Sequence, residues 1–94
     1  MNFMVPSEPG AVALSLVIPV YNEAENIAPL AGRLRSALSG FAGRIEIIVV
    51  DDGSTDETLS ELRSAQQSDA LIRILHFAKN LGQTAAIAAG FHYS

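Results

Sequence analysis

The residues best suited to chemistry are two adjacent carboxylates, Asp51 and Asp52, which directly follow the apolar and β-branched run Ile45 to Val50. A run of this length, with only Glu46 as a polar interruption, predicts a strand buried on both faces. In an open α/β sheet, ligands bind in the crevice beyond the carboxyl ends of the strands. The two acids therefore occupy a position where binding residues are expected.

A structural role is the alternative interpretation, because carboxylates ahead of a helix cap its N-terminus and interact favourably with its dipole. Ser54 and Glu57 have the spacing of a capping box, so the following helix does not need Asp51 or Asp52 to begin. Two adjacent acids at the end of a buried strand repel each other and lose their hydration. We therefore expect the pair to interact with a ligand or a nearby cation.

Two other segments have the composition of strands in the same sheet. Leu14 to Val20 is apolar and β-branched, with Pro19 near its end, where a missing N–H does least harm, and Leu71 to Phe77 alternates. After the first of these strands, apolar residues recur at spacings of three and four, which predicts one face of an amphipathic helix. The residues of this face are Ile27, Leu30, Leu34, Leu38 and Phe41.

Weaker patterns predict a second helix over about Thr55 to Gln67 and a third helix that begins near Gln83. With short connections, the order β-α-β-α-β-α predicts right-handed crossovers and a three-stranded parallel sheet. The predicted fold is a three-layer α/β arrangement over residues 14–94, equivalent to half of a doubly wound domain. Such a sheet leaves the outer edge of the first or the second strand unpaired, so we also expect self-association through that edge.

Composition excludes several classes of function. The 94 residues carry a net charge of −4, and their six Lys and Arg residues are scattered, so nucleic acid is not an expected partner. The absence of cysteine removes disulfides, thiolate metal sites and thiol nucleophiles. His76 and His92 are isolated, and we interpret them as structural or surface residues rather than metal ligands.

The first residues do not have the composition of a targeting segment. Residues 1–13 contain two prolines and a glycine but no positively charged region, so we interpret them as a disordered lead-in and not as a signal peptide. No apolar run reaches the roughly 18 to 20 residues that a membrane span requires. We therefore expect a cytoplasmic chain, with a full-length form placed at the cytoplasmic face of the membrane.

Two common phosphate-binding motifs are absent from the strand ends. The residues after the first strand are YNEAEN rather than G-x-G-x-x-G, and no G-x-x-x-x-G-K-S/T occurs in the chain. Three other motifs are present, namely VIPVYNE at Val17 to Glu23, VVDDGSTDET at Val49 to Thr58 and NLGQTAAIAAGF at Asn80 to Phe91. In order and spacing they resemble the family 2 inverting glycosyltransferases with the GT-A nucleotide-sugar fold, and most of all the polyprenyl-phosphate sugar transferases.

The resemblance implies a set of nucleotide-binding residues. Pro19, Tyr21 and Glu23 line the nucleotide pocket, and Asp52 accepts a hydrogen bond from the base, with Val50 beside it. The chemistry is compatible, since a carboxylate accepts from a base N–H and a tyrosine ring offers a stacking face. The alternatives are an exposed loop aromatic for Tyr21 and helix-start electrostatics for Glu23.

Other features of the resemblance leave alternatives open. Side chains alternate along a strand, so the sequence alone does not decide whether Asp51 or Asp52 faces the ligand. Asn80, Gly82 and Gln83 have the pattern of an ordinary turn and helix cap as well as that of the family motif.

The resemblance also implies groups that this chain does not contain. The family's metal-binding D-x-D motif, its catalytic base and its acceptor-binding segments come later in the chain, so we assign no catalytic residue and no metal ligand here. The full-length enzyme is expected to use Mg²⁺ or Mn²⁺ and to transfer a sugar from a nucleoside-diphosphate sugar to a polyprenyl phosphate. These 94 residues are expected to be its donor-nucleotide half and inactive alone. A stand-alone nucleotide-binding or subunit-pairing module without catalysis is the alternative.

Overall fold

The computed structural model describes residues 3–6, 13–41, 43–69 and 71–93. Four strands and three helices lie within these ranges. The strands are β1 (Phe3–Pro6), β2 (Ala13–Val20), β3 (Arg44–Asp51) and β4 (Ile72–His76). The helices are α1 (Ala24–Leu38), α2 (Thr58–Ser68) and α3 (Gln83–Tyr93).

The strands form one sheet in the order β1-β2-β3-β4. β2, β3 and β4 are parallel, as predicted, and β1 pairs antiparallel with β2. The register places Val20 opposite Asp51 and Asp51 opposite His76, so the three parallel strands end at the same level. The loops that follow them therefore meet at one edge of the sheet.

Strand β1 was not predicted. We expected residues 1–13 to be a disordered lead-in, and this is wrong for Phe3–Pro6, which forms a strand, and for Ala13, which begins β2. The strand forms because the outer edge of β2 has backbone N–H and C=O groups that an adjacent segment can satisfy. Residues 1, 2 and 7–12 of the expected lead-in lie outside the described residues.

The sheet has a helical layer on each face, which confirms the predicted three-layer α/β fold. On one face, α1 and α2 contact each other and cover a cluster that includes Leu16, Ile18 and Val49. On the other face, α3 lies on β2 and β3, and Ala86 packs with Val17, Ile48 and Val50. Alternation along β3 therefore assigns Asp51 to the α1/α2 face and Asp52 to the α3 face.

The start of α2 differs from the prediction. The helix begins at Thr58 rather than near Thr55, and its N-cap residue, Glu57, makes no side-chain cap hydrogen bond. The expected capping box is wrong, because the Ser54 hydroxyl accepts a hydrogen bond from the backbone N–H of Asn22 instead. The residues between Asp52 and Thr58 are thus a loop that binds another loop.

Gly53 lies where the chain leaves β3, and only glycine fits there. Its φ is +75°, and a Cβ built on it would lie 2.2 Å from the carbonyl carbon of Lys79. The loop after β3 and the loop after β4 are therefore in direct backbone contact, which any side chain at residue 53 would prevent.

We expect Gly53→Ala to lower the free energy of unfolding by more than the roughly 1–3 kcal/mol that a left-handed backbone conformation alone costs. Gly32→Ala is the matched control, because Gly32 lies within α1 and a Cβ there would meet nothing within 4 Å. That substitution should raise stability by about 0.5–1 kcal/mol. Urea unfolding followed by circular dichroism measures both effects, and an unchanged midpoint for Gly53→Ala would contradict the described contact.

Candidate functional site

The loop after β2 and the loop after β3 are joined through Asn22. Its backbone N–H donates to the Ser54 hydroxyl at 2.9 Å, and its side-chain oxygen accepts from the Thr55 N–H at 2.8 Å. Asn22 has a φ of +50°, a left-handed conformation that asparagine tolerates better than most residues. The two loops are thus held together by bonds between residues more than 30 positions apart in the chain.

A second group of bonds joins the starts of α1 and α2. The Glu23 N–H donates to the hydroxyl of the buried Thr58 at 2.8 Å, and that hydroxyl donates to the Asp56 carboxylate. The Thr58 N–H also donates to Asp56 at 2.9 Å, and the Ala24 N–H does so at 3.4 Å. The hydrogen bond from the Thr58 side chain is the largest cause that holds the pKa of the Asp56 carboxyl below its ordinary value, and desolvation partly offsets it.

Asp51 is completely buried, and its carboxylate is bonded within the protein. One oxygen accepts from the Ser54 N–H at 3.1 Å, and the other lies 3.0 Å from Nδ1 of His76. With an ionised carboxylate, this contact requires a proton on Nδ1 of the imidazole. Asp51 therefore stabilises the turn after β3 and the end of β4 on the α1/α2 face.

Asp52 is 3 % exposed and binds the segment that precedes α3. Its carboxylate accepts from the backbone N–H groups of Leu81 at 2.8 Å and Gly82 at 2.9 Å, and from the side-chain amide of Asn80 at 3.1 Å. The same amide lies 3.1 Å from the Asp52 carbonyl oxygen. We expected the two acids to interact with a ligand or a cation, and the structure provides protein donors for each of them.

This role of Asp52 was missed from the sequence. The N-x-G pattern at residues 80–82 leaves open an ordinary turn and cap or a family motif, and in the structure its donors bind a carboxylate 28 to 30 residues earlier. Two signals were available, an asparagine and a glycine close after a strand end, and Gly82 indeed has a φ of +99°. The identity of the partner depends on which face of β3 carries Asp52, and the sequence does not specify that face.

The predicted nucleotide-binding residues lie at neighbouring strand ends. Pro19 pairs with Val50 in the sheet register, and Tyr21 and Asp52 follow them just beyond the two strands. The side chain of Val50 is completely buried under α3 and is therefore not open to a ligand, whereas Tyr21 is 45 % exposed. Glu23 is exposed, and its carboxylate accepts from the Asn26 side chain at 2.9 Å.

Neither a metal site nor a membrane span is found in the part of the chain that the structure describes. Within those residues, no group of three or more His, Cys, Asp or Glu side chains could hold a metal ion. In the same ranges, no helix has the length and apolar character needed to cross a membrane.

Comparison with known proteins finds similar sequences over most of the chain. The family model described as glycosyl transferase family 2 matches residues 15–94. Dodecaprenyl-phosphate galacturonate synthase from Rhizobium johnstonii is 43% identical over 81 residues, which are 85% of this chain and 24% of that protein. Undecaprenyl-phosphate 4-deoxy-4-formamido-L-arabinose transferase from Pseudomonas syringae is 42% identical over 79 residues, 83% of this chain and 23% of that protein. The chain thus spans about a quarter of the length of these relatives.

A solved structure has the same fold. The mannosyltransferase PcManGT from Pyrobaculum calidifontis, determined in complex with GDP-Man and Mn²⁺, superposes with a TM-score of 0.72 at 23% sequence identity. The match covers 89% of this chain and 24% of that protein. This likeness confirms the expected GT-A fold for the described strands and helices.

The lowered pKa of Asp56 predicts a pH-dependent contribution to stability. Because folding lowers this pKa, the contribution is fully present above the ordinary pKa of aspartate and is lost as the pH falls through the lower folded-state value. The urea midpoint of Asp56→Asn should therefore lie below that of the wild-type chain at about pH 7, and the two midpoints should converge toward about pH 2.

Glu57→Gln is the control for the removal of one acidic charge beside the start of α2, since Glu57 makes no side-chain cap hydrogen bond. We expect a smaller change in midpoint for this variant at neutral pH. Equal changes for Asp56→Asn and Glu57→Gln would show that helix-dipole electrostatics, rather than the hydrogen bonds to Asp56, account for the effect.

Proposed function

The chain belongs to glycosyl transferase family 2, and on that premise we propose that it binds the nucleoside-diphosphate sugar of an inverting glycosyltransferase. The observation that carries the proposal is the common edge at which β2, β3 and β4 end, with Pro19 and Asp52 on the α3 side and Tyr21 directly after β2, beside Asp52. Ligands of open α/β sheets bind at such edges. The hydrogen bonds among the three loops fix this edge before a ligand arrives.

Each proposed contact has a chemical basis. Tyr21 presents a half-exposed ring on which a nucleobase stacks, and Glu23, two residues later, is exposed. Pro19 contributes an apolar contact, and Val50 supports it from beneath, since its own side chain is buried. A carboxylate has about four acceptor positions. Three donors from residues 80–82 use three acceptor positions of the Asp52 carboxylate, which leaves one for a base N–H.

The proposal includes a divalent cation for the full-length enzyme, Mg²⁺ or Mn²⁺, but not a site for it in this chain. The support is that the solved mannosyltransferase was determined in complex with Mn²⁺. The described residues do not fit such an ion, because they contain no cluster of three ligands and because Asp51 and Asp52 already accept hydrogen bonds from N–H groups. We therefore assign no metal ligand among them.

We further propose a polyprenyl phosphate as the acceptor, bound by parts of the enzyme beyond these residues. The support is the names of two relatives, one a dodecaprenyl-phosphate and the other an undecaprenyl-phosphate sugar transferase. An acceptor of this kind resides in a membrane, so the full-length enzyme is proposed to act at the cytoplasmic membrane face. The edge expected to be unpaired, that of β2 or β3, is not open in the structure, because β2 pairs with β1 and β3 lies between β2 and β4. Self-association through an edge of the sheet therefore stays a proposal, with the outer edge of β4 as the place for it.

We expect the isolated chain to bind a nucleoside diphosphate without catalysing transfer. The described residues contain no metal cluster, and general bases and metal ions each contribute orders of magnitude to such rates. The measurement is transfer of radiolabelled sugar from a nucleotide sugar to undecaprenyl phosphate with Mg²⁺ or Mn²⁺ present. Metal-dependent transfer by the purified chain would contradict this prediction, and binding without transfer is also what the stand-alone binding module predicts.

Stacking on Tyr21 provides the sharper test of the binding site. Tyr21→Ala should weaken binding of UDP or GDP by about 1–3 kcal/mol, the usual value for a base stacked on an aromatic side chain, while Tyr21→Phe should retain most of the affinity. Because Tyr21 is 45 % exposed, neither substitution should disturb the core. Isothermal titration calorimetry measures both variants, and equal affinity of wild type and Tyr21→Ala would remove Tyr21 from the proposed site.

A further inference from the structure

The segment Asn80–Gly82 is fixed at two places. Asp52 binds it through the backbone N–H groups of Leu81 and Gly82 and through the Asn80 side chain, at 2.8 to 3.1 Å. In addition, the backbone of Gly53 approaches Lys79 so closely that a Cβ on Gly53 would lie 2.2 Å from the Lys79 carbonyl carbon. The position of Leu81 is therefore determined by the end of β3.

This segment lies beside the proposed nucleotide contacts. The Asp52 N–H donates to the Val20 carbonyl at 2.9 Å, which extends the pairing of β2 and β3 by one residue. Tyr21 and Asp52 thus occupy neighbouring positions just past the two strands, and Leu81 is bonded directly to Asp52. The backbone of Leu81 therefore lies beside Asp52, two residues before α3 begins.

Leu81 is unusual in being both firmly placed and exposed. Its side chain is 53 % exposed, although its backbone is bonded to a carboxylate that is only 3 % exposed. A single exposed leucine is ordinary on a protein surface. Here, however, two exposed side chains neighbour one buried acid: Leu81 is hydrogen-bonded to Asp52, and Tyr21 follows Val20, whose carbonyl accepts from the Asp52 N–H. Small-molecule sites combine apolar walls with a few fixed polar groups.

We propose that Leu81 is a contact residue for the nucleoside of the bound diphosphate and that Asp52 is its positioning residue. The inference rests on the proposed function, because it assigns Leu81 to the same site. Leu81 supplies an apolar surface to the base or ribose. Asp52 holds that surface in place through the Leu81 and Gly82 N–H groups, in addition to any contact of its own with the base.

The first test is calorimetric titration of the chain with UDP and with GDP. Leu81→Ala should raise Kd by roughly three- to tenfold for the diphosphate that binds, as expected for a partly buried apolar contact. Leu71→Ala is the matched control, because Leu71 is a leucine of similar exposure, 47 %, at the opposite end of β4. Its Kd should stay within about twofold of the wild-type value. A Leu81→Ala affinity equal to that of wild type would overturn the proposed contact.

The second test needs no nucleotide. Amide hydrogen exchange in the free chain should show protected Leu81 and Gly82 N–H groups. Asp52→Asn should raise their exchange rates at least tenfold, whereas Asp51→Asn should leave these rates unchanged. Rapid exchange of both amides in the wild-type chain would overturn the positioning role, whether or not the variants fold. If wild type binds neither diphosphate, the proposed function and the Leu81 contact both fail, while protected amides would still support the role of Asp52. If wild type binds and Leu81→Ala matches it, only the further inference fails.

Discussion

The structure depends on how two adjacent buried carboxylates at the end of β3 find hydrogen-bond donors. A carboxylate removed from water without such partners costs several kcal/mol, and neighbouring acids add their mutual repulsion. Alternation along the strand directs Asp51 and Asp52 to opposite faces of the sheet, so each one recruits its own donors. Asp51 binds the start of the next loop and the end of β4, and Asp52 binds the segment before α3. The two acids therefore organise the chain on both sides of the sheet.

The loop after β2 is held by neutral and charged hydrogen bonds that do not involve the carboxylates of Asp51 and Asp52. Asn22 binds the loop after β3, and Thr58 links the starts of α1 and α2 through Glu23 and Asp56. As a result, the loops after β2, β3 and β4 are all bonded to residues near the end of β3. Rigid loops lower the conformational entropy that a ligand must remove on binding, and a site arranged in advance can thus bind small molecules with few direct contacts.

Much of the fold could be predicted from sequence because its parallel strands are buried runs with a recognisable composition. The ends of the predicted strands 14–20, 45–50 and 71–77 each lie within one residue of the observed ends. The errors concern partners that are distant in the chain. The start of α2 was placed too early because Ser54 binds Asn22 rather than its own helix, and β1 was missed because it depends on the free edge of β2. Local patterns contain no information about such partners.

The candidate site was predictable only in part, for a related reason. The positions of Pro19, Tyr21 and Asp52 at strand ends follow from the strand boundaries, but the faces on which they lie follow from the packing of α3 on β2 and β3. That packing separates two functions along a single strand end. The α1/α2 face carries Asp51, whose bonds serve the turn and β4, whereas the α3 face carries Asp52, whose bonds reach the loop beside the proposed ligand. Two chemically identical neighbours thereby have different environments. A change at Asp52 affects the Asn80–Gly82 segment beside the proposed ligand, whereas a change at Asp51 affects the turn after β3 and the end of β4.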